Sequence, residues 1–216
     1  MSSSPITLPV DETRSRLLEA ATIIFSELGF QRATTRMICE RAQANPAAVN
    51  YHFRDKLGLY SAVLTANFGK AEGQQALEMD EAEAQQLLAM ESEAALGAFI
   101  ARLFSGLKSA DVKWRYMRIM ANELSHPTAA LPTVVERFVR PQAGILCEIV
   151  ARLTGHDAES RKTKLAAQSI LAQVMHHING RPIITLLWPD MLAAVNSNEE
   201  IIAHITQFSL NGLRAL

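Results

Sequence analysis

Two cysteines in 216 residues, Cys39 and Cys147, lie far apart and each sits in an apolar-periodic stretch. They exclude a disulfide framework and a cysteine-built zinc site. Glycine is sparse, and no proline occurs between Pro46 and Pro127. No Asn-Gly pair joins two alternating runs, so hairpins are not expected. No apolar run approaches the length needed to cross a bilayer, so no membrane partner is expected. Met1 to Val10 has neither a basic nor an apolar leader region. No secretory signal is therefore expected, and the chain is expected in the cytoplasm. The formal net charge of −1 excludes a wholly basic nucleic-acid coat but leaves room for a local basic face.

What is present is a chain of 49% hydrophobic and 20% charged residues, a soluble globular composition. Apolar residues recur at helical spacing nearly throughout, which predicts an all-α protein. Residues 1–12 read as a flexible arm. A first helix runs from about Asp11 to Leu28, with Leu17, Leu18, Ala21, Ile24, Phe25 and Leu28 as its stripe. Gly29 follows as its left-handed cap. Thr35 is placed to cap a second helix over 36–42. The turn Gln43-Ala44-Asn45 leads to a third helix, with Asn45 as cap and Pro46 at its first position. That helix ends near Phe53. Asp55 caps a fourth helix, about 56–69. Residues 71–101 carry seven acidic side chains and no basic one. The stretch around Glu78 to Glu81 therefore reads as a solvated boundary. Further helices are predicted at 87–108, 111–125, 132–153, 159–180 and 198–213, with Pro127, Pro132, Pro182 and Pro189 at the joints.

Two short helices joined by a tight turn and packed on a longer one make a helix-turn-helix. Its third helix turns Val49 and Phe53 inward toward Ile38, Cys39 and Ala42. It turns Ala47, Ala48, Asn50, Tyr51 and Arg54 outward. Small residues at the helix start admit close approach to DNA. Asn50 can offer paired donor and acceptor groups to an adenine edge. Thr35, Tyr51, His52 and Lys56 can reach phosphates. From Arg32 to Lys56 five basic residues stand against Glu40 and Asp55, a local excess of three positive charges.

Residues 13–64 resemble the DNA-binding domain of the TetR family of transcriptional regulators. The resemblance is carried by Arg16-Leu17-Leu18-Glu19-Ala20-Ala21, Phe25 with Gly29-Phe30, Thr34-Thr35-Arg36-Met37-Ile38-Cys39, and Val49-Asn50-Tyr51-His52-Phe53 with Lys56 and Leu59-Tyr60. It implies a DNA-facing set of Thr35, Arg36, Pro46, Ala47, Ala48, Asn50, Tyr51, His52 and Lys56. Three positions depart from the family pattern: Gln43 where the turn glycine is usual, Asn50 where Tyr is commonest, and Leu57 where Glu is usual. Glu123-Leu124-Ser125-His126-Pro127-Thr128, Val139-Arg140-Pro141-Gln142 and Arg181-Pro182-Ile183-Ile184 through Leu187-Trp188-Pro189 resemble the C-terminal domain of the CecR (YbiH-like) subgroup.

The resemblance implies a helix-turn-helix domain at 13–60 and a C-terminal helical bundle at 61–216 for dimerisation and ligand binding. The implied function is a ligand-responsive regulator, a repressor by preference. It would bind a palindromic double-stranded operator as a homodimer and leave it on binding a small, mainly apolar inducer. Apolar surplus in 159–180 and 198–213, including Leu165, Ile170, Val174, Ile205 and Phe208, marks the expected dimer face. The expected inducer cavity is lined by Trp114, Met117 and Met120, closed by Phe104, Phe138 and His176; all six are equally readable as core. Glu123-x-x-His126 has the spacing of half a di-iron site, but no second copy accompanies it. A helical-bundle metal enzyme and a regulator controlled by a partner protein are the alternatives. No glycine phosphate loop, Gly-x-Ser-x-Gly or His-Glu-x-x-His occurs, so no catalysis and no cofactor is expected.

Overall fold

The computed structural model describes residues 9–68, 79–105, 110–193 and 197–216, with the side chains of 9–11, 67, 68, 105, 110–114, 116 and 197 left aside. Within them the chain is helical and carries no strand. The described residues fall into two compact units, one within 1–71 and 109–135, the other within 72–108 and 136–216. The first unit thus adds a segment near residue 120 to the helices read as the DNA-binding domain.

In the first unit, α1 (Pro9–Arg32) buries Leu17, Ala21 and Phe25 completely. The stripe is as the periodicity predicts, and regular helix breaks after Leu28 as expected. Gly29 takes φ 71° and ψ 172°, and the helical path resumes to Arg32. Only glycine adopts such a backbone without strain, so Gly29 ends the regular helix with the positive φ its type predicts. α2 (Thr35–Ala42) is capped by Thr34, whose Oγ1 accepts from Met37 N–H at 3.2 Å. Thr35 was expected in that role and is instead the first helical residue. The reason is reach: the hydroxyl of the residue before the helix meets the third helical N–H.

α3 (Ala47–Phe53) follows a tight turn. Asn45 Oδ1 accepts from Ala47 N–H at 2.9 Å, the capping contact its type predicts. α4 (Lys56–Phe68) is opened by Asp55, whose Oδ1 accepts from Gly58 N–H at 2.7 Å. Gly58 has no freedom to be larger, because a Cβ there would collide with the Phe53 carbonyl oxygen. α7 (Ala110–Ser125) packs on α1 within this unit.

In the second unit the predicted helix over 87–108 is two helices, α5 (Glu81–Ala89) and α6 (Ser92–Ser105). Asp80 and Glu83 form a reciprocal capping box that starts α5. The segment expected to be a solvated boundary therefore ends in a helix start, while 69–78 lie outside the described residues. Glu91 starts α6 by accepting from Glu93 and Ala94 N–H at 3.0 and 3.2 Å. Those bonds, Ala94 first, hold its carboxyl below the usual carboxylate range. Arg152 donates to the Leu88 and Met90 carbonyls at 2.7 and 2.6 Å and satisfies the end of α5.

The predicted helix over 132–153 is also interrupted. α8 (Leu131–Val134) passes through a π turn (Val135–Val139) into α9 (Arg140–Thr154). Pro141 supplies the reason: it has no N–H for the carbonyl one turn back, and its ring widens the turn before it. α10 (Arg161–Asn179) is capped by Ser160, then α11 (Arg181–Leu187), α12 (Pro189–Ala193) and α13 (Ser197–Leu213) complete the chain. Pro182 and Pro189, expected at joints, start the two short helices. Leu96, Phe99, Phe138, Leu146, Val174 and Ile205 form this unit's core.

Candidate nucleic-acid interface

α3 is built to present one face. Val49 and Phe53 are buried, together with Ile38, Cys39 and Ala42 of α2. Burial pushes the Cys39 thiol up, so it behaves as a small apolar residue there. Arg14 of α1 lies over the Phe53 ring, 5.4 Å from its centre. That tie between α1 and α3 carries no periodicity and was not legible in the sequence.

On the outward face Pro46, Ala47, Asn50 and Arg54 are exposed, and Ala48 is half-buried. Tyr51 is the most open aromatic among the described residues, at 77% exposure. Its ring meets His52 edge-on at 4.9 Å, and half-buried His52 leans on Phe53 at 6.0 Å. The Asn50 amide has no hydrogen-bond partner among the described residues, so its donor and acceptor are available together. Thr35 is half-buried at the start of α2. Arg36 is exposed beside Thr35 and pairs with Glu40 at 2.8 Å. That pair raises the Arg36 pKa through the hydrogen bond first, then the charge.

Lys56 has partners of its own within the domain. Its Nζ donates to the carbonyls of Phe30 and Ala33 at 2.9 and 3.0 Å and sits 4.3 Å from the centre of the Phe30 ring. The ammonium satisfies the end of α1, where unpaired carbonyls attract a cation. Half-buried Lys56 spends two of its three donors within the domain.

Two strained residues bracket α3. Gln43 holds φ 49° and ψ 45° at the end of α2, and Arg54 holds φ 73° at the end of α3. Ala44 N–H returns to the Cys39 carbonyl at 3.0 Å, closing the turn. The family's glycine preference at position 43 is thus a backbone requirement that Gln43 meets with strain.

Glu123 does not stand as a metal ligand. It is buried, with 1% exposure. Tyr60 Oη donates to its Oε2 at 2.9 Å, and Thr128 donates to its Oε1 from N and Oγ1 at 2.8 and 2.9 Å. Burial first, then this bond and the charge of Glu123, push the Tyr60 phenol well above its usual range. His126 is exposed. No group of three ligand-type side chains able to hold a metal occurs among the described residues.

The six residues expected to line one cavity are divided between the units. Met117 and Met120, both half-buried, belong to the first. Phe104, buried Phe138 and exposed His176 belong to the second. The Trp114 side chain lies outside the described residues. None of the described helices is long and apolar enough to cross a membrane.

Residues 17–63 match the family described as bacterial regulatory proteins, tetR family. Residues 92–213 match the C-terminal domain of the HTH-type transcriptional dual regulator CecR. The chain is 29% identical over 193 residues to the dual regulator CecR of Shigella flexneri, covering 86% of this chain and 84% of that one. It is 26% identical over 175 residues to the transcriptional repressor BepR of Brucella suis biovar 1, covering 78% and 79%. Its fold is similar to that of the fatty acid degradation regulator FadR from Bacillus halodurans, with a TM-score of 0.64 over 99% of both chains at 15% identity. An N-terminal helix-turn-helix with its polar face open, joined to more than half a chain of the second type, leaves one conclusion: the chain belongs to the TetR family of bacterial transcriptional regulators and carries a C-terminal domain of the CecR type.

Proposed function

We propose that this regulator binds a palindromic operator as a homodimer, acts on it as a repressor, and leaves it when a small, mainly apolar molecule binds its C-terminal domain. The outward face of α3 carries the reading: a free amide at Asn50 and an open phenol at Tyr51 on a short helix with small residues at its start. Asn50 reads a base edge in the major groove. Thr35, Arg36, Tyr51 and His52 hold phosphates and set the register. Pro46, Ala47 and Ala48 let the backbone approach. Lys56 fixes the end of α1 and so the angle at which α3 is offered.

One seven-residue helix reads too few bases for useful specificity, so two copies read two half-sites about 34–36 Å apart or a multiple of it. Exposed Leu165, Met175 and Phe208 on α10 and α13 support pairing of two copies. The relative BepR is a transcriptional repressor, and small-molecule response suits a family of two-domain regulators. Selection of bound duplexes from random DNA tests the reading. A motif with two-fold symmetry and half-site centres about 10 base pairs apart, or a multiple of that, is expected. An asymmetric motif, or none, contradicts it.

A further inference from the structure

We propose that Arg54, at the junction of α3 and α4, is a further DNA contact of this regulator, its guanidinium holding a backbone phosphate at the end of the recognition face. This rests on the DNA-binding reading above and adds a residue that reading did not include.

The first observation is a backbone conformation. Arg54 takes φ 73° and ψ −49°, close to the roughly +75° and −65° of the strained γ-turn. A Cβ at positive φ crowds its own backbone, and glycine alone takes such angles freely. Gln43 and Arg54 are the described residues other than glycine with positive φ. Gln43 lies in the ordinary left-handed region, whereas Arg54 lies outside it, where a side chain costs more.

The turn is fixed from both sides. Arg54 N–H donates to the Asn50 carbonyl at 3.1 Å, which ties it to the last turn of α3. Asp55 Oδ1 accepts from Gly58 N–H at 2.7 Å and starts α4 at the next residue. Gly58 stands so near the Phe53 carbonyl that a Cβ there would lie 2.0 Å from its oxygen. Two residues thus join α3 to α4 without slack, and the fold sets the direction in which the Arg54 side chain leaves the backbone. Glycine would make the same turn without strain. An arginine in that place points to a use for its side chain.

The second observation is the face it extends. Ala47, Asn50, Tyr51 and Arg54 follow one another at the spacing of a single helix stripe, and all four are exposed. Arg54 therefore continues the face that carries the Asn50 amide and the Tyr51 phenol.

The third is charge. Arg36 is paired with Glu40 at 2.8 Å. Two of the three donors of Lys56 go to the carbonyls of Phe30 and Ala33. The Arg54 side chain has no partner among the described residues, and Asp55 beside it is engaged with Gly58. Its charge is left uncompensated, and its fork of donors matches a phosphate in two bonds. The pull of a helix end on a cation does not explain the position, since a cation in the last turn would answer it without strain.

The test is the salt dependence of binding by the full chain to a duplex carrying the motif that the wild type selects from random DNA. Arg54→Gln removes the charge and keeps a side chain at the turn. The slope of log affinity against log salt should become shallower by about one for each bound subunit, and affinity at physiological salt should fall at least several-fold. Arg54→Gly relieves the strain, so it folds without the side chain, and should lose the same slope. Arg54→Lys should hold the wild-type slope, because charge binds the phosphate. Arg54→Gln should select the wild-type motif, because a phosphate carries no sequence. A slope unchanged in Arg54→Gln and Arg54→Gly overturns the proposal, as does one that Arg54→Lys fails to hold. A motif that shifts with Arg54→Gln also overturns it, by making Arg54 a reader of bases. A wild-type chain that binds no duplex overturns the DNA-binding reading together with this proposal.

Discussion

α3 and α11 are both seven-residue helices, each opened at a proline and held by one or two buried side chains. What they turn outward differs. α3 offers an amide, a phenol and three small or cyclic residues, while α11 offers leucine, isoleucine and tryptophan. A polar face held open suits a partner rich in hydrogen-bonding groups, here a DNA groove. An apolar face held open suits a partner that can exclude water with it. In both cases the anchors belong to folding, and the open face is free to serve something else. Substitutions should separate the two roles.

The sharpest break in that comparison is between an anchor and a face. Phe53→Ala should cost about 3–5 kcal/mol by urea denaturation, since it empties a buried site beneath α3. Leu186→Ser, on the open side of α11, should change folding stability of the separated chain by less than about 0.5 kcal/mol. A large folding cost at Leu186 would mean that the face is core.

Next in size is the link behind α3's unit. Tyr60→Phe keeps the ring packed against Phe25 and Phe30 but removes the donor to Glu123. It should cost about 1–3 kcal/mol in the same assay, because a buried acceptor loses its partner.

On the α11 side, pH offers a handle. His177 lies one turn before α11, and its Nδ1 is buried with no partner among the described residues. Burial first, then the charges of His176 and His204, hold its pKa below 6.5. The folded chain therefore binds fewer protons at this site than the unfolded chain, and stability rises with pH. The contribution is complete above about pH 6.5 and is lost as pH falls from there through the lowered folded value. Urea midpoints at pH 5.5 and 7.5 should differ in that direction, and His177→Gln should reduce the difference. An unchanged difference would remove His177 from the account.

The smallest effect concerns the turn that aims α3. Gln43→Gly should stabilise the fold by about 0.5–1 kcal/mol, relief of left-handed strain being partly offset by a freer unfolded chain. A loss of stability would show that the Gln43 side chain does more than tolerate its backbone.

Periodicity made the helix-turn-helix legible because its two short helices bury a strict stripe, and because Asn45, Asp55 and Pro46 are residue types that mark helix starts. The same reasoning misplaced the α2 cap by one residue, since Thr34 and Thr35 are equally able to cap and only geometry chooses. It read α5 with α6, and α8 with α9, as single helices, because a break made by Glu91 as a cap or by Pro141 within an apolar run leaves the period intact. The contacts that Lys56 makes within the domain were illegible for a different reason. A lysine after a recognition helix looks like a phosphate contact, and the carbonyls it satisfies lie more than twenty residues away. α11 was read only as a joint, since the six residues between Pro182 and Pro189 are too few to show which face is buried.

The central claim is that Asn50 on the open face of α3 reads bases while Lys56 behind it does not contact DNA. Selection from random duplexes should therefore be repeated with Asn50→Ala and with Lys56→Ala, alongside the salt dependence of binding. Asn50→Ala should relax preference at one or two symmetric positions, at a cost of about 1–3 kcal/mol in discrimination. Lys56→Ala should leave the motif and the salt slope unchanged. An unchanged motif with Asn50→Ala, or a slope reduced by about one with Lys56→Ala, would contradict the account.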